Sequence, residues 1–243
     1  MEPTQDEWAQ ARELLNKSAR PALLGQIGGA RPEDKADRFR SWWGGNFLAR
    51  PNETVPVCAK SGRAMHPVLQ VRVDETASVT QALNNIALLN LWLDLETKEW
   101  WNAENGVGFC IRSYSSFAEL NPVGPGYREH PTFPVFPVTW RAVAADLPAW
   151  EDFAGKVSDA VARSPENEWF FYHPARDQLQ AMQKGRPIKI GGYPQWIQGS
   201  QWPQDSEFVL QLDSTAKGAL NFAGGSAYIF LKGGRWLMKG DTY

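Results

Sequence analysis

The side chains that could do chemistry are few and scattered. Three histidines, His66, His130 and His173, stand far apart, and the two cysteines Cys58 and Cys110 complete the set of soft and imidazole ligands. A structural zinc site takes four such ligands at short paired spacings. Cys58 followed eight residues later by His66 meets neither condition, so no metal is expected: Cys58 reads as a small buried hydrophobe and His66 as a loop residue. Gly106-x-Gly108 and Gly224-Gly225 are too short to cradle a phosphate, and no nucleophile-elbow, Walker, zincin or Rossmann pattern is present. Glu151 and Asp152 are neighbours on a predicted helix, so they point to different faces and read as a first-turn pair complementing the helix dipole. No catalytic residue and no cofactor is expected. The chain reads as a binding protein, with an enzyme of unrecognised type as an alternative.

Composition narrows the partners. Lys and Arg number 25 against 27 Asp and Glu in 243 residues, which is neither the basic footprint of a nucleic-acid binder nor the acidity of a DNA mimic. Direct nucleic-acid binding is therefore not expected. Glycine (21), proline (17) and aromatic residues (12 Trp, 12 Phe, 6 Tyr) point to short strands joined by tight turns around an aromatic core. The acidic Met1 to Asp6 stretch does not resemble a signal peptide, and two cysteines make no disulfide framework. The longest apolar run, Ile86 to Leu93, is broken by Asn90, well short of the roughly 20 residues that span a bilayer. A soluble cytoplasmic protein with no membrane partner is the expectation.

The elements that must position these residues follow from periodicity. Thr4 and Glu7 form a capping-box pattern ahead of Trp8, Ala11, Leu14 and Leu15, which predicts a helix from Asp6 to Ser18. Gly25 to Asp37 reads as a loop, and strands are predicted at Pro67–Asp74, Ile86–Asp94 and Gly106–Tyr114. The proline-rich stretch Asn121–Pro137 reads as a long loop of a kind that often carries function. Pro148 then opens a second helix whose Trp150, Phe153, Val157 and Val161 share one face. A strand at Glu168–Tyr172 and a short helix at Ala175–Gln183 lead into a strand-rich tail.

One unit occurs twice. Gly44-Gly45, Pro56, Val68-Leu69-Gln70 and the strand from Ala87 match Gly191-Gly192, Pro203, Val209-Leu210-Gln211 and the strand from Ala227. In both copies the proline falls 11 residues after the second glycine, and the first copy is longer by six residues between Pro and Val. The paired glycines read as turn formers, and Gln70 and Gln211 as buried amides that tie the strand of one copy to loop backbone in the other. The expected fold is α+β: duplicated, pseudo-symmetric antiparallel β lobes, at about 20–120 and 165–243, joined by the loop and helix of 121–164, with a few peripheral helices.

The run Lys189-Ile190-Gly191-Gly192-Tyr193-Pro194-Gln195-Trp196-Ile197-Gln198 with Glu207-Phe208-Val209-Leu210-Gln211-Leu212-Asp213-Ser214 closely resembles the signature of the YwqG-like proteins, a bacterial domain of unknown function. Ser41-Trp42-Trp43-Gly44-Gly45-Asn46-Phe47, the segment Pro56 to Gln70 and Gly108-Phe109-Cys110-Ile111-Arg112-Ser113-Tyr114 agree in order, so the likeness covers about residues 40–240. The chain departs from the family at Phe222-Ala223-Gly224-Gly225-Ser226, where relatives often carry Gly-Asp-x-Gly, and at Cys58, where some carry a paired-cysteine knuckle. The resemblance implies a single two-lobed domain with no established catalysis, often encoded beside antibacterial toxins. The implied function is an immunity protein that binds a cognate secreted or polymorphic toxin, such as a nuclease effector, and covers its active site. The loop residues suited to anchoring it are Trp100, Trp101, Asn105, Tyr127, Arg128, Glu129, Trp196, Gln198 and Trp202. A small-molecule or peptide sensor using a cleft between the lobes is the alternative.

Overall fold

The computed structural model describes residues 2–28, 38–76, 79–96, 102–122, 133–164 and 185–242. The expected strand at Glu168–Tyr172, the helix at Ala175–Gln183 and most of the proline-rich loop lie outside the described residues. The fold is α+β: mostly antiparallel sheet with a few peripheral helices.

The chain opens with α1 (Gln5–Lys17), whose capping box is formed as predicted: Thr4 accepts from the Glu7 backbone N–H, and the Glu7 carboxylate accepts from that of Thr4. Ala11 and Leu15 pack against Phe153 and Val161. Those two residues come from α2 (Trp150–Phe153) and α3 (Asp159–Arg163), two short helices where one was predicted. The predicted apolar face holds, but Val157 is extended and the Ser158 side chain caps α3 by accepting from the Val161 N–H. A good N-cap residue, with a poor helix former at Gly155 just before it, favours restarting the helix over continuing it.

Among the described residues there are thirteen strands, of which eleven make one curled sheet. In chain order the thirteen strands are β1 (Arg20–Ile27), β2 (Trp42–Trp43), β3 (Leu48–Ala49), β4 (His66–Arg72), β5 (Leu88–Leu93), β6 (Asn102–Glu104), β7 (Phe109–Tyr114), β8 (Asn121–Pro122), β9 (Phe136–Asp146), β10 (Ile188–Gly191), β11 (Glu207–Asp213), β12 (Ser226–Lys232) and β13 (Arg235–Asp241). Their order in the large sheet is β6-β13-β12-β11-β10-β1-β9-β2-β4-β5-β7, while β3 and β8 pair separately. β6 leaves the β5 end of the sheet and pairs with β13 at the other end, so the sheet nearly closes. The tight turn from β6 to β7 joins the two edges, and the Asn105 amide reinforces it by pairing with both the N–H and the C=O of Ile111.

The duplication is visible as symmetry in this order. β10, β11, β12 and β13 on one side answer β2, β4, β5 and β7 on the other, with β1 and β9 between them. Gly25 stands beside Ile188 as Val138 stands beside Ser41, and Ile188 and Ser41 each precede their Gly-Gly pair by three residues. The pseudo-two-fold therefore passes through the Gln26–Thr139 pair, about which β1 and β9 run antiparallel.

Two expectations change as a result. Residues Gly25–Ile27 belong to a strand, not a loop, and the stretch 121–164, taken as a connector, contributes β9. Neither pattern announced a strand: Gly25 and Pro137 read as breakers, and along β9 the buried Val138, Val143 and Asp146 do not recur at a step of two. Moreover β1 precedes the first copy in sequence yet pairs with β10 of the second, and β9 precedes the second yet pairs with β2 of the first. The halves exchange their leading strands, so the division at 20–120 and 165–243 cuts across the sheet.

One core fills the inside of the curl, where Val68, Leu69, Val71, Leu89 and Ile111 of one half meet Ile190, Val209, Leu210, Ile229 and Trp236 of the other. The space between the halves there is an apolar void of about 10 Å³. That is at the lower limit for one water molecule, and it has no polar partner to hold it. The expected inter-lobe cleft is, at this position, packed core.

Candidate functional site

The repeated polar residues act as clamps on the turns that follow each Gly-Gly pair. All four glycines have positive φ, from +65° to +92°. Three residues past the second glycine, Leu48 and Gln195 occupy matching places. The Leu48 N–H donates to Gln70 Oε1 at 3.0 Å and its carbonyl accepts from Asn90; the Gln195 N–H donates to Gln211 Oε1 at 2.9 Å and its carbonyl accepts from the Tyr228 hydroxyl. Gln70 also donates to the carbonyls of Arg38 and Arg40. Each glutamine thus binds loop backbone of its own copy, not of the other as expected, because the turn doubles back over the strand carrying the glutamine.

A second clamp is shared by different chemistry. Five residues past the glycines, the Ile197 N–H and its neighbour Gln198 N–H donate to Asp241 Oδ2. At the corresponding Arg50 the N–H donates to Glu53, which also accepts from the Tyr114 hydroxyl. Burial, joined by the Glu53 carboxylate, pushes the Tyr114 phenol up, so it remains a donor throughout the physiological range.

The six-residue insertion of the first copy turns out to have a counterpart. It carries Cys58 and Met65 onto Trp42, Phe47 and Trp92 on the outer face of the sheet, so the reading of Cys58 as a buried hydrophobe holds. His66, expected in a loop, opens β4 opposite Leu93. In the second copy the matching outer face, around Phe208, Tyr228 and Phe230, is covered by Trp196 and Trp202. The two places where the copies differ most are alternative fillings of the same layer.

Asp94 holds the insertion down, accepting from the Ser61 hydroxyl at 2.6 Å and from two nitrogens of Arg63. Burial opposes its ionisation, but these donors prevail and keep its carboxyl below the usual aspartate range. Burial likewise disfavours the Cys58 thiolate, yet donors from Ser61 and from the Gly108 N–H more than offset it and lower the thiol. Asp94→Asn removes the charge from this contact to the half-exposed Arg63. It is expected to speed iodoacetamide modification of Cys58 about tenfold, since each 1.4 kcal/mol of local opening is a factor of ten; peptide mapping separates Cys58 from Cys110. Because the folded pKa is depressed, the stabilisation is complete above the unfolded aspartate value near 4 and is lost as pH falls below it. An unchanged Cys58 rate in the variant would show that Asp94 does not gate the insertion.

The anchors read from the sequence divide. Trp100, Trp101, Tyr127, Arg128 and Glu129 lie outside the described residues. Asn105 is exposed, but its amide closes the sheet edge. Trp196 is buried, donates its indole N–H to Asp152 at 2.7 Å and stacks beside Tyr228 and Phe230. Gln198 donates to the Thr242 carbonyl. Trp202 alone among the described anchors lines an open cleft.

That cleft, of about 750 Å³, lies on the outer face at the second Gly-Gly turn. Its walls come from the start of β1 (Arg20), the turn before β5 (Val79, Thr80, Gln81), α2 and the turn after it (Asp152, Lys156), the aromatic turn of the second copy (Tyr193, Trp202) and the start of β11 (Glu207, Phe208). Tyr193 is fixed at both ends: its hydroxyl donates to the Ser18 carbonyl and its N–H to Asp146 Oδ2. The Arg20 guanidinium sits over the Tyr193 ring, 4.6 Å from its centre, and Trp202 meets the same ring edge-on. Arg20, Thr80 and Lys156 escaped sequence reading, since they belong to no motif, and Glu207 stood only as the first residue of a strand signature.

Among the described residues no group of three or more His, Cys, Asp or Glu is placed to hold a metal ion, and no described helix is long and apolar enough to cross a membrane. Compared with known proteins, the chain matches no protein-family model and no curated protein.

Proposed function

We propose that this chain is a cytoplasmic immunity protein: it binds a cognate antibacterial toxin and covers the toxin's active site. The observation that carries the reading is the division of labour among its polar groups. Gln70, Gln211, Glu53, Tyr114, Asp94 and Asp241 hold turns in place, whereas the large outer cleft presents Arg20 over the Tyr193 ring with Trp202 edge-on to it. Arg, Tyr and Trp are the residue types that dominate binding energy at protein interfaces, and a pre-organised frame loses little entropy on docking. The YwqG-like pattern supports the toxin context. With a formal net charge of −2, the chain would act by steric cover, not by global mimicry of nucleic acid.

The test is co-expression with the product of the adjacent gene. Cells producing that protein should die without this chain and grow with it. A toxic neighbour from which this chain gives no protection would remove the reading.

A sensor remains the second reading, moved from the space between the halves to the outer cleft, whose volume falls in the range of small-molecule sites.

A further inference from the structure

The cleft contains charges of both signs, but they are not equally available. Asp152 is spent: one carboxylate oxygen accepts from the Trp196 indole and the other from the Ser200 hydroxyl. Glu207 Oε1 accepts from the Thr80 hydroxyl and the Ala82 N–H. Arg20 and Lys156, both exposed, form no ion pair among the described residues. Arg20 is nonetheless ordered, because the Tyr193 ring beneath it is pinned at its hydroxyl and its N–H. The site therefore offers a guanidinium set over a pinned ring and an exposed ammonium, while both oxygens of Asp152 and one of Glu207 already accept hydrogen bonds. A group that accepts from a guanidinium and an ammonium together, and brings an apolar neighbour for Trp202 and Phe208, is a carboxylate on a peptide chain.

We propose that this cleft seats an acidic segment of the protein partner, a Glu or Asp side chain meeting Arg20 and Lys156 with a flanking apolar residue against Trp202. The assignment rests on the immunity reading and specifies which face docks. Two cations against two carboxylates leave the cleft with no large net charge, so the contact is a short-range, hydrogen-bonded one: it slows dissociation more than it speeds encounter. The duplication shows what fills the equivalent place in the first copy. At the matching outer face of the first copy, the insertion carrying Cys58 and Met65 covers the layer that Trp202 leaves open at its edge.

The experiment is titration calorimetry of the toxin domain encoded by the adjacent gene with the wild-type chain and with the double variant Arg20→Gln, Lys156→Gln. The thermal transition of both chains is recorded as a check on folding. Wild-type binding with affinity lowered at least about thirtyfold in the variant is the expected result. Wild-type binding with equal affinity in the variant overturns the cleft assignment and leaves the immunity reading intact. No binding by the wild-type chain overturns the immunity reading and the assignment with it. Should the variant fold poorly, zero-length carbodiimide coupling of the wild-type complex decides: a cross-linked peptide joining Lys156 to a partner Asp or Glu is expected, and a coupled complex lacking any Lys156 cross-link sinks the proposal.

Discussion

Gly192→Val should leave no folded protein. Gly192 has φ +66°, and a Cβ there would lie 2.1 Å from Asp146 Oδ2 and 2.9 Å from the Ala22 Cβ. The left-handed backbone alone costs about 1–3 kcal/mol for an L side chain. The larger loss comes from displacing Asp146, whose Oδ2 holds the Tyr193 N–H at 2.7 Å and the Lys189 ammonium at 2.6 Å. Breaking a buried pair of this kind costs about 3–5 kcal/mol. The sum rivals the whole stability of an ordinary domain, about 5–15 kcal/mol. Insoluble expression or loss of the near-ultraviolet dichroism of the aromatic core is the expected readout. Gly155→Ala is the control, because nothing lies within 4 Å of a Cβ there and its φ is not positive; it should shift the urea midpoint little. A Gly192→Val chain with a wild-type midpoint would show that the Asp146 packing is wrong.

Lys189→Met should cost about 3–5 kcal/mol. Lys189 and Asp146 are 3% and 2% exposed on their side chains, so removing the ammonium leaves a buried carboxylate that keeps the Tyr193 N–H as a donor. A second carboxylate is involved. Burial pushes Asp213 up, opposed by hydrogen bonds from Gln211 and Ser226 and by attraction to Lys189, so loss of the lysine raises Asp213 further toward its neutral form. The double variant Asp146→Asn, Lys189→Met removes both charges and should be more stable than Lys189→Met alone by 1 kcal/mol or more. Urea unfolding of the four chains closes the cycle. Additive losses would mean that the two side chains do not share a pair in solution.

The parts of this structure that could be read from the sequence are those fixed by local chemistry. Thr4 and Glu7 predicted their own reciprocal capping, and the Gly-Gly, Pro and Leu-Gln spacing announced two equivalent turns with buried glutamines. The strand exchange was not legible. Gly25 and Pro137 interrupt the patterns of β1 and β9, and nothing local says that Gly25 lies beside Ile188 while Val138 lies beside Ser41. The candidate site depends on that exchange. Arg20 approaches Tyr193 because β1 crosses to the second half, and Thr80 reaches Glu207 across 127 positions of sequence. Sequence reading also placed partner anchors on the aromatic turn, at Trp196, Gln198 and Trp202. Packing shows that Cys58 and Met65 in one copy and Trp196 and Trp202 in the other fill one equivalent layer, with only the edge of Trp202 left to face the cleft.

The central claim is that the chain neutralises a toxin by covering it. Its most direct test is titration of the purified toxin's activity with the purified chain. Activity falling linearly to a floor at one chain per toxin is the predicted result. Full activity at a tenfold excess of folded chain would contradict it.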